Sequence, residues 1–158
     1  DVCSSDLVKY AYKDARRYAE LRGLTLKGTQ KIWDSSIAAI GLLWARQQGH
    51  DPLKNYIDST FEKFWQRALD IEDPAVVTQQ LAQAGCDTGG FRDYLEGEGR
   101  RQHDAMQETI LDAGYYGVPT YVIDDEYYFG RQHLPRVRWH LSGRQGPLPD
   151  IAYDSRLA

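Results

Sequence analysis

The chain has 158 residues and a formal net charge of −4, from 19 basic and 23 acidic side chains, which is a one-domain length with an acidic balance. With 42% hydrophobic and 27% charged residues it has the composition of a globular protein, and no run approaches the ~18 apolar residues of a membrane span. A sequence pI near 5.5 argues against a polyanion such as nucleic acid as the main partner.

Two cysteines, Cys3 and Cys86, stand far apart and form neither a CxxC nor a zinc-ligand spacing, so no metal site is expected. The chain starts at Asp1, its one methionine is Met106, and no basic-plus-apolar leader is visible.

Residues 8–22 carry apolar positions at helical spacing (Val8, Ala11, Tyr12, Ala15, Tyr18, Ala19), with Gly23 as the stop. Residues 24–33 read as a loop with an extended piece. Asp34, Ser35 or Ser36 caps a second helix that is apolar nearly all round, from Ile37 to Ala45, and is expected to be buried; Gly49 ends it. Asp51-Pro52 opens a third helix with the stripe Leu53, Tyr56, Ile57, Phe61, Phe64 and Trp65. Asp73-Pro74 repeats that start signal for a fourth, bearing Val76, Val77, Leu81 and Ala82 and stopping at Gly85. Residues 88–114 read as one long polar helix.

The pattern changes at Gly117. Thr120–Asp124 and Glu126–Phe129 are β-prone runs that meet at Asp124-Asp125, a tight hairpin. Residues 132–142 read as a last amphipathic helix with Pro135 in its first turn, followed by an irregular tail. A two-stranded hairpin does not stand alone as a sheet, so further strands are expected to be missing from this chain and one apolar hairpin face to be uncovered.

The strongest local signal is Gly117-Val118-Pro119-Thr120. A proline just before a strand is a candidate cis peptide, which would turn the Val118 N–H and C=O outward to pair with an extended ligand; the alternative is a plain trans proline punctuating the strand. His103, His133 and His140 lack metal-ligand spacing and read as surface residues or as supports behind a site. Asp70, Glu72 and Asp73 read as a cap and turn, and Tyr127, Tyr128 and Phe129 as strand residues that mostly pack, the alternative being that one of them faces a ligand. Trp33, Trp44, Trp65 and Trp139 read as helix contacts, and Cys86 as an unreactive thiol.

The stretch GVPTYVIDDEYYFGRQHL resembles the cis-proline hairpin and last helix of the DsbA-like branch of the thioredoxin superfamily. The whole pattern is most similar to the 2-hydroxychromene-2-carboxylate isomerases and kappa-class glutathione transferases. Matching pieces are Tyr10-x3-Asp14-x2-Arg17, the Asp34-Ser35-Ser36 helix start, Phe64-Trp65 followed by Asp70-Ile71-Glu72-Asp73, and Ala84-Gly85. The resemblance implies an α/β thioredoxin-like fold with an inserted helical domain, lacking its first two strands in this chain and mostly helical as given. On that reading residues 8–114 form the helical insertion, 115–142 the C-terminal part of the thioredoxin domain, and 143–158 an irregular tail. Residues 1–7, DVCSSDL, are expected to be a non-native segment on a shortened reading frame; the rival reading makes Cys3-Ser4-Ser5-Asp6 a degenerate redox motif.

By resemblance the full-length enzyme is a cytoplasmic, glutathione-dependent isomerase of aromatic-degradation intermediates, in a family that tends to dimerise. Its catalytic serine loop is expected upstream, so the chain as given is expected to be inactive. Glutathione would lie along Val118 and Pro119, with Arg131 and Gln132 at the position that grips the γ-glutamyl end. A helix N-terminus and Arg131 suit a carboxylate, whereas Gln132 stands where the family has an acid for the ammonium. A DsbA-like thiol–disulfide oxidoreductase with its CxxC upstream, or a non-catalytic groove for a peptide or thiol, are the alternative readings.

Overall fold

A computed structural model describes residues 6–149. They form two compact units, one extending to Met106 and the other beginning at Gln107. No helix among the described residues is long and apolar enough to cross a membrane.

The first unit is helical. Helix α1 runs Asp6–Glu20, α2 Ser36–Gln47, α3 His50–Trp65, α4 Pro74–Gln83 and α5 Phe91–Glu96; α6, Glu98–Asp112, continues into the second unit. Of the segment expected to be non-native, residues 1–5 lie outside the described residues, while Asp6 and Leu7 are the first turn of α1. An acidic residue there suits the helix dipole, which explains a start two residues before the predicted one.

Asp34 Oδ1 accepts from the Ser36 N–H at 2.9 Å and so starts α2 from one residue before its N-cap, Ser35. Ile40, Leu43 and Ala45 are buried, as the all-round apolar pattern predicts. Helix α3 comes close enough for the Tyr56 hydroxyl to donate to Ala38 O at 3.0 Å. Gly41 permits this approach, because a Cβ there would overlap the Tyr56 hydroxyl and meet Val77 Cγ1 at 3.1 Å.

The predicted α3 stripe is only partly buried. Tyr56 and Thr60, one turn apart, face the core, whereas Phe61 is 57% exposed. Phe61 lies about 100° further round the helix than Thr60 and lines an apolar groove with Ala19, Leu24, Leu26 and Trp65.

Helix α4 starts as predicted: Asp73 Oδ1 accepts from Ala75 N at 2.8 Å and Pro74 occupies the first turn. Asp73→Ala should therefore cost about 1 kcal/mol. A thermal melt showing no loss of midpoint would contradict this. Ala82 turns outward, and Ala84 and Cys86 take inner positions beside Val77 and Leu81.

Residues 88–114 do not form the single helix predicted for them. The chain breaks at Gly97 (φ −116°, ψ −105°) into α5 and α6. The break buries Phe91 and Leu95 on α5 and Gly99 on α6. Burial of these three residues offsets the loss of continuous helix at Gly97, and polar periodicity alone does not carry that information.

In the second unit, α6 ends where Tyr115 N donates to Ile110 O at 3.1 Å, with Gly114 at φ +74°. Strands β1 (Thr120–Ile123) and β2 (Glu126–Phe129) pair antiparallel, Thr120 opposite Phe129 and Ile123 opposite Glu126. The Asp124-Asp125 turn is as predicted; Asp124 sits at φ +55°, a conformation aspartate tolerates. Helix α7, Leu134–Leu141, contributes the buried Val137, and Tyr128 of β2 is also buried. Val122, Tyr127 and Phe129, whose side chains alternate with Tyr128, remain exposed.

The last helix was predicted over 132–142, but Arg131–His133 is a 3₁₀ turn and α7 begins at Leu134. Pro135 has no N–H to return to Arg131 O, so the Leu134 N–H donates there instead and tightens the turn.

Candidate functional site

The loop before β1 is held from both sides. Thr120 Oγ1 donates to Gly117 O at 2.5 Å, and Gly130 N donates to Pro119 O at 2.9 Å. The Val118–Pro119 peptide bond is cis. Val118 is 90% exposed, and its N–H and C=O take no hydrogen bond from any described residue. A backbone donor and acceptor thus stand open to solvent on a loop fixed at its neighbours.

Gly117 makes room for an aromatic wall, since a Cβ there would approach Phe129 Cε2 to 2.7 Å. The Phe129 and Tyr116 rings lie 5.0 Å apart, and both are exposed beside Val118. Sequence reasoning placed Phe129 on the strand but overlooked Tyr116, whose signal was its position one residue before the GVPT loop.

Of the four residues proposed from sequence, Val118 and Pro119 are joined to the Arg131–Gln132 turn through the Gly130–Pro119 hydrogen bond. Arg131 and Gln132 are exposed. The Gln132 amide folds back and donates to Phe129 O at 3.3 Å, packed over Gly130 at φ +108°. It therefore shapes the turn in place of an outward-facing polar group.

The remaining candidates have local roles. His103 pairs with Asp104 at 2.9 Å, and the His133 and His140 rings flank Tyr128. Burial pushes the Cys86 thiol up. Asp70 Oδ1 accepts from Glu72 N at 2.9 Å and Asp73 caps α4, so both act as the cap-and-turn reading has it. Glu72 does more, binding Lys31 and accepting from Asp34 N at 2.8 Å. The Lys31 contact and then the Asp34 N–H hold its carboxyl below the usual range. Lys31 also lies 4.3 Å over the Trp33 ring. That clasp links residues 41 apart in sequence, which no local pattern signals.

A hairpin entered through a cis-proline loop, backed by a helix and preceded by a helical unit, is the C-terminal architecture of a DsbA-like thioredoxin fold. The family model of the DSBA-like thioredoxin domain matches residues 5–142, and the chain belongs to that family. It is 25% identical over 129 residues to the 2-hydroxychromene-2-carboxylate isomerase of Pseudomonas putida, covering 79% of this chain and 61% of that protein's length. A solved structure of a 2-hydroxychromene-2-carboxylate isomerase superposes with a TM-score of 0.70 at 20% identity, over 96% of this chain and 70% of the other. That likeness establishes the fold.

Proposed function

We propose that this chain is part of a glutathione-dependent isomerase of a conjugated aromatic compound, with Val118, Pro119 and Arg131 binding the tripeptide. The observation that carries the reading is the exposed Val118 backbone, whose N–H and C=O have no partner among the described residues. An extended peptide pairs with such groups as an added strand. The Arg131 guanidinium, on the turn tied to Pro119, suits a carboxylate of the same ligand. The exposed Tyr116 and Phe129 rings offer an aromatic substrate a face to stack on. The name of the Pseudomonas relative supports the reaction class, and an acidic protein working with glutathione suits the cytoplasm.

The residues present fit the ligand's backbone and a carboxylate. Gln132 supplies no acid for the γ-glutamyl ammonium, and its amide is already engaged by Phe129 O. Bound glutathione would supply the sulfur nucleophile; the chain's own part, on these residues, is to align the tripeptide beside the aromatic wall.

Binding is the direct test. Glutathione titrated into the 158-residue chain should perturb the NMR signals of Val118, Thr120 and Arg131. Arg131→Ala should weaken the complex about tenfold, the worth of one hydrogen bond to a charged group. Perturbations confined to other residues, or an affinity that ignores Arg131→Ala, would overturn the proposal.

A further inference from the structure

A hydroxyl inside a helix can return its proton to the carbonyl four residues back, and two hydroxyls here do so. Ser59 Oγ donates to Asn55 O at 2.6 Å and Thr78 Oγ1 to Pro74 O at 2.7 Å. Thr60 of α3 does not. It is 8% exposed, and its Oγ1 has no hydrogen-bond partner among the described residues. The Tyr56 hydroxyl, one turn back, donates to Ala38 O, so its single proton is already placed. The Thr60 oxygen therefore keeps an unfilled acceptor whichever way its own proton points. Buried polar atoms are seldom left so.

Thr60 lines a recess of about 290 Å³. Ala38 and Leu42 line it from α2, Ile57, Phe61 and Phe64 from α3, and Ile71 from the connection to α4. The Phe64 ring is held edge-on by Trp33 at 5.8 Å and by Trp65 at 5.2 Å, so that wall is fixed. None of the lining residues is charged, and the one further hydroxyl, on Ser35, belongs to an exposed residue.

We propose that this recess is a binding site for a small neutral phenol, whose ring lies against Phe61 and Phe64 and whose O–H donates to Thr60 Oγ1. Aromatic walls suit an aromatic ring. An apolar cavity of about 150 Å³ is enough for benzene, so a substituted phenol fits in this one. With no charged side chain on its walls, the recess disfavours a carboxylate or an ammonium, which would lose water without gaining a counter-charge. Thr60 decides among the neutral arenes. A ring that carries a donor fills the open acceptor, whereas a hydrocarbon or an ether leaves it unserved. The site does not rest on the glutathione reading, since no residue of the GVPT loop lines it.

para-Cresol and its methyl ether share a ring and differ in the donor, so the wild-type chain tests the proposal without any substitution. In NMR titrations of the full 158-residue chain, para-cresol should shift the signals of Ala38, Thr60 and Ile71. The ether should bind about tenfold more weakly, the effect of one buried acceptor left unserved. Thr60→Val keeps the branched shape without the oxygen and should make the two affinities equal, while Thr60→Ser should retain the preference. No shift at these residues, equal affinities in the wild type, or a preference that survives Thr60→Val would each overturn the proposal.

Discussion

Replacing Phe91 by alanine should cost about 3–5 kcal/mol of stability, the range for deleting a fully buried aromatic ring. Phe91 is 1% exposed and belongs to the cluster of Ile40, Tyr56, Val77, Leu81 and Leu95. Its ring lies 5.9 Å from that of Trp44, whose indole is tied to Asp87 O at 2.7 Å. The tie keeps Trp44 from swinging in to fill the space, so the cavity stays open. Phe91→Leu retains most of the volume and should cost less than about 1.5 kcal/mol. Urea unfolding followed by far-ultraviolet circular dichroism reads both. A Phe91→Ala loss below about 1 kcal/mol would mean that α5 is not part of the helical core.

The same residue shows where sequence reading reached its limit. The Asp-Pro start of α4 and the apolar run of α2 are local signals, and the structure follows both. The split of 88–114 is decided by burying Phe91, Leu95 and Gly99, which depends on contacts between helices distant in sequence. Phe61 fails for a related reason: periodicity gives an apolar stripe wider than the face that meets α2, and the edge of the stripe is left exposed. Hydrophobic periodicity says which residues share a side, while the neighbour decides how much of that side is covered.

For the candidate site the order is reversed. The GVPT loop was legible because proline and glycine impose local geometry, and the loop and the Arg131 turn are adjacent through one hairpin. What Gln132 does was not legible. Its identity suggests a polar ligand contact, yet its amide satisfies the Phe129 carbonyl at the strand end. The Thr60 recess was hidden for the same reason as the Glu72 clasp, since each joins residues that only tertiary folding brings within reach.

Gly99→Ala sets helix propensity directly against packing. In an exposed helix the change stabilises by about 1 kcal/mol, because glycine has more backbone freedom to lose. Here the added Cβ would lie 2.5 Å from Tyr94 Cε1 and 2.7 Å from Ile40 Cγ2. Ile40 is completely buried and has nowhere to move. Tyr94 is held by its hydroxyl, which accepts from Gln47 at 3.0 Å and donates to Gln102 at 2.9 Å, so its ring does not rotate away without losing both bonds. Overpacking of this kind costs about 1–3 kcal/mol, and with two constrained neighbours the upper part of that range applies, which exceeds the propensity gain for a net loss of up to about 2 kcal/mol. Tyr94→Ala in the same chain removes the nearer obstacle. The double variant should then be more stable than the sum of the single losses allows, with a coupling of about 1 kcal/mol or more in urea unfolding. If Gly99→Ala stabilises the chain, or the two changes simply add, then α6 does not pack on α2 and α5 through Gly99, and the break at Gly97 needs another cause.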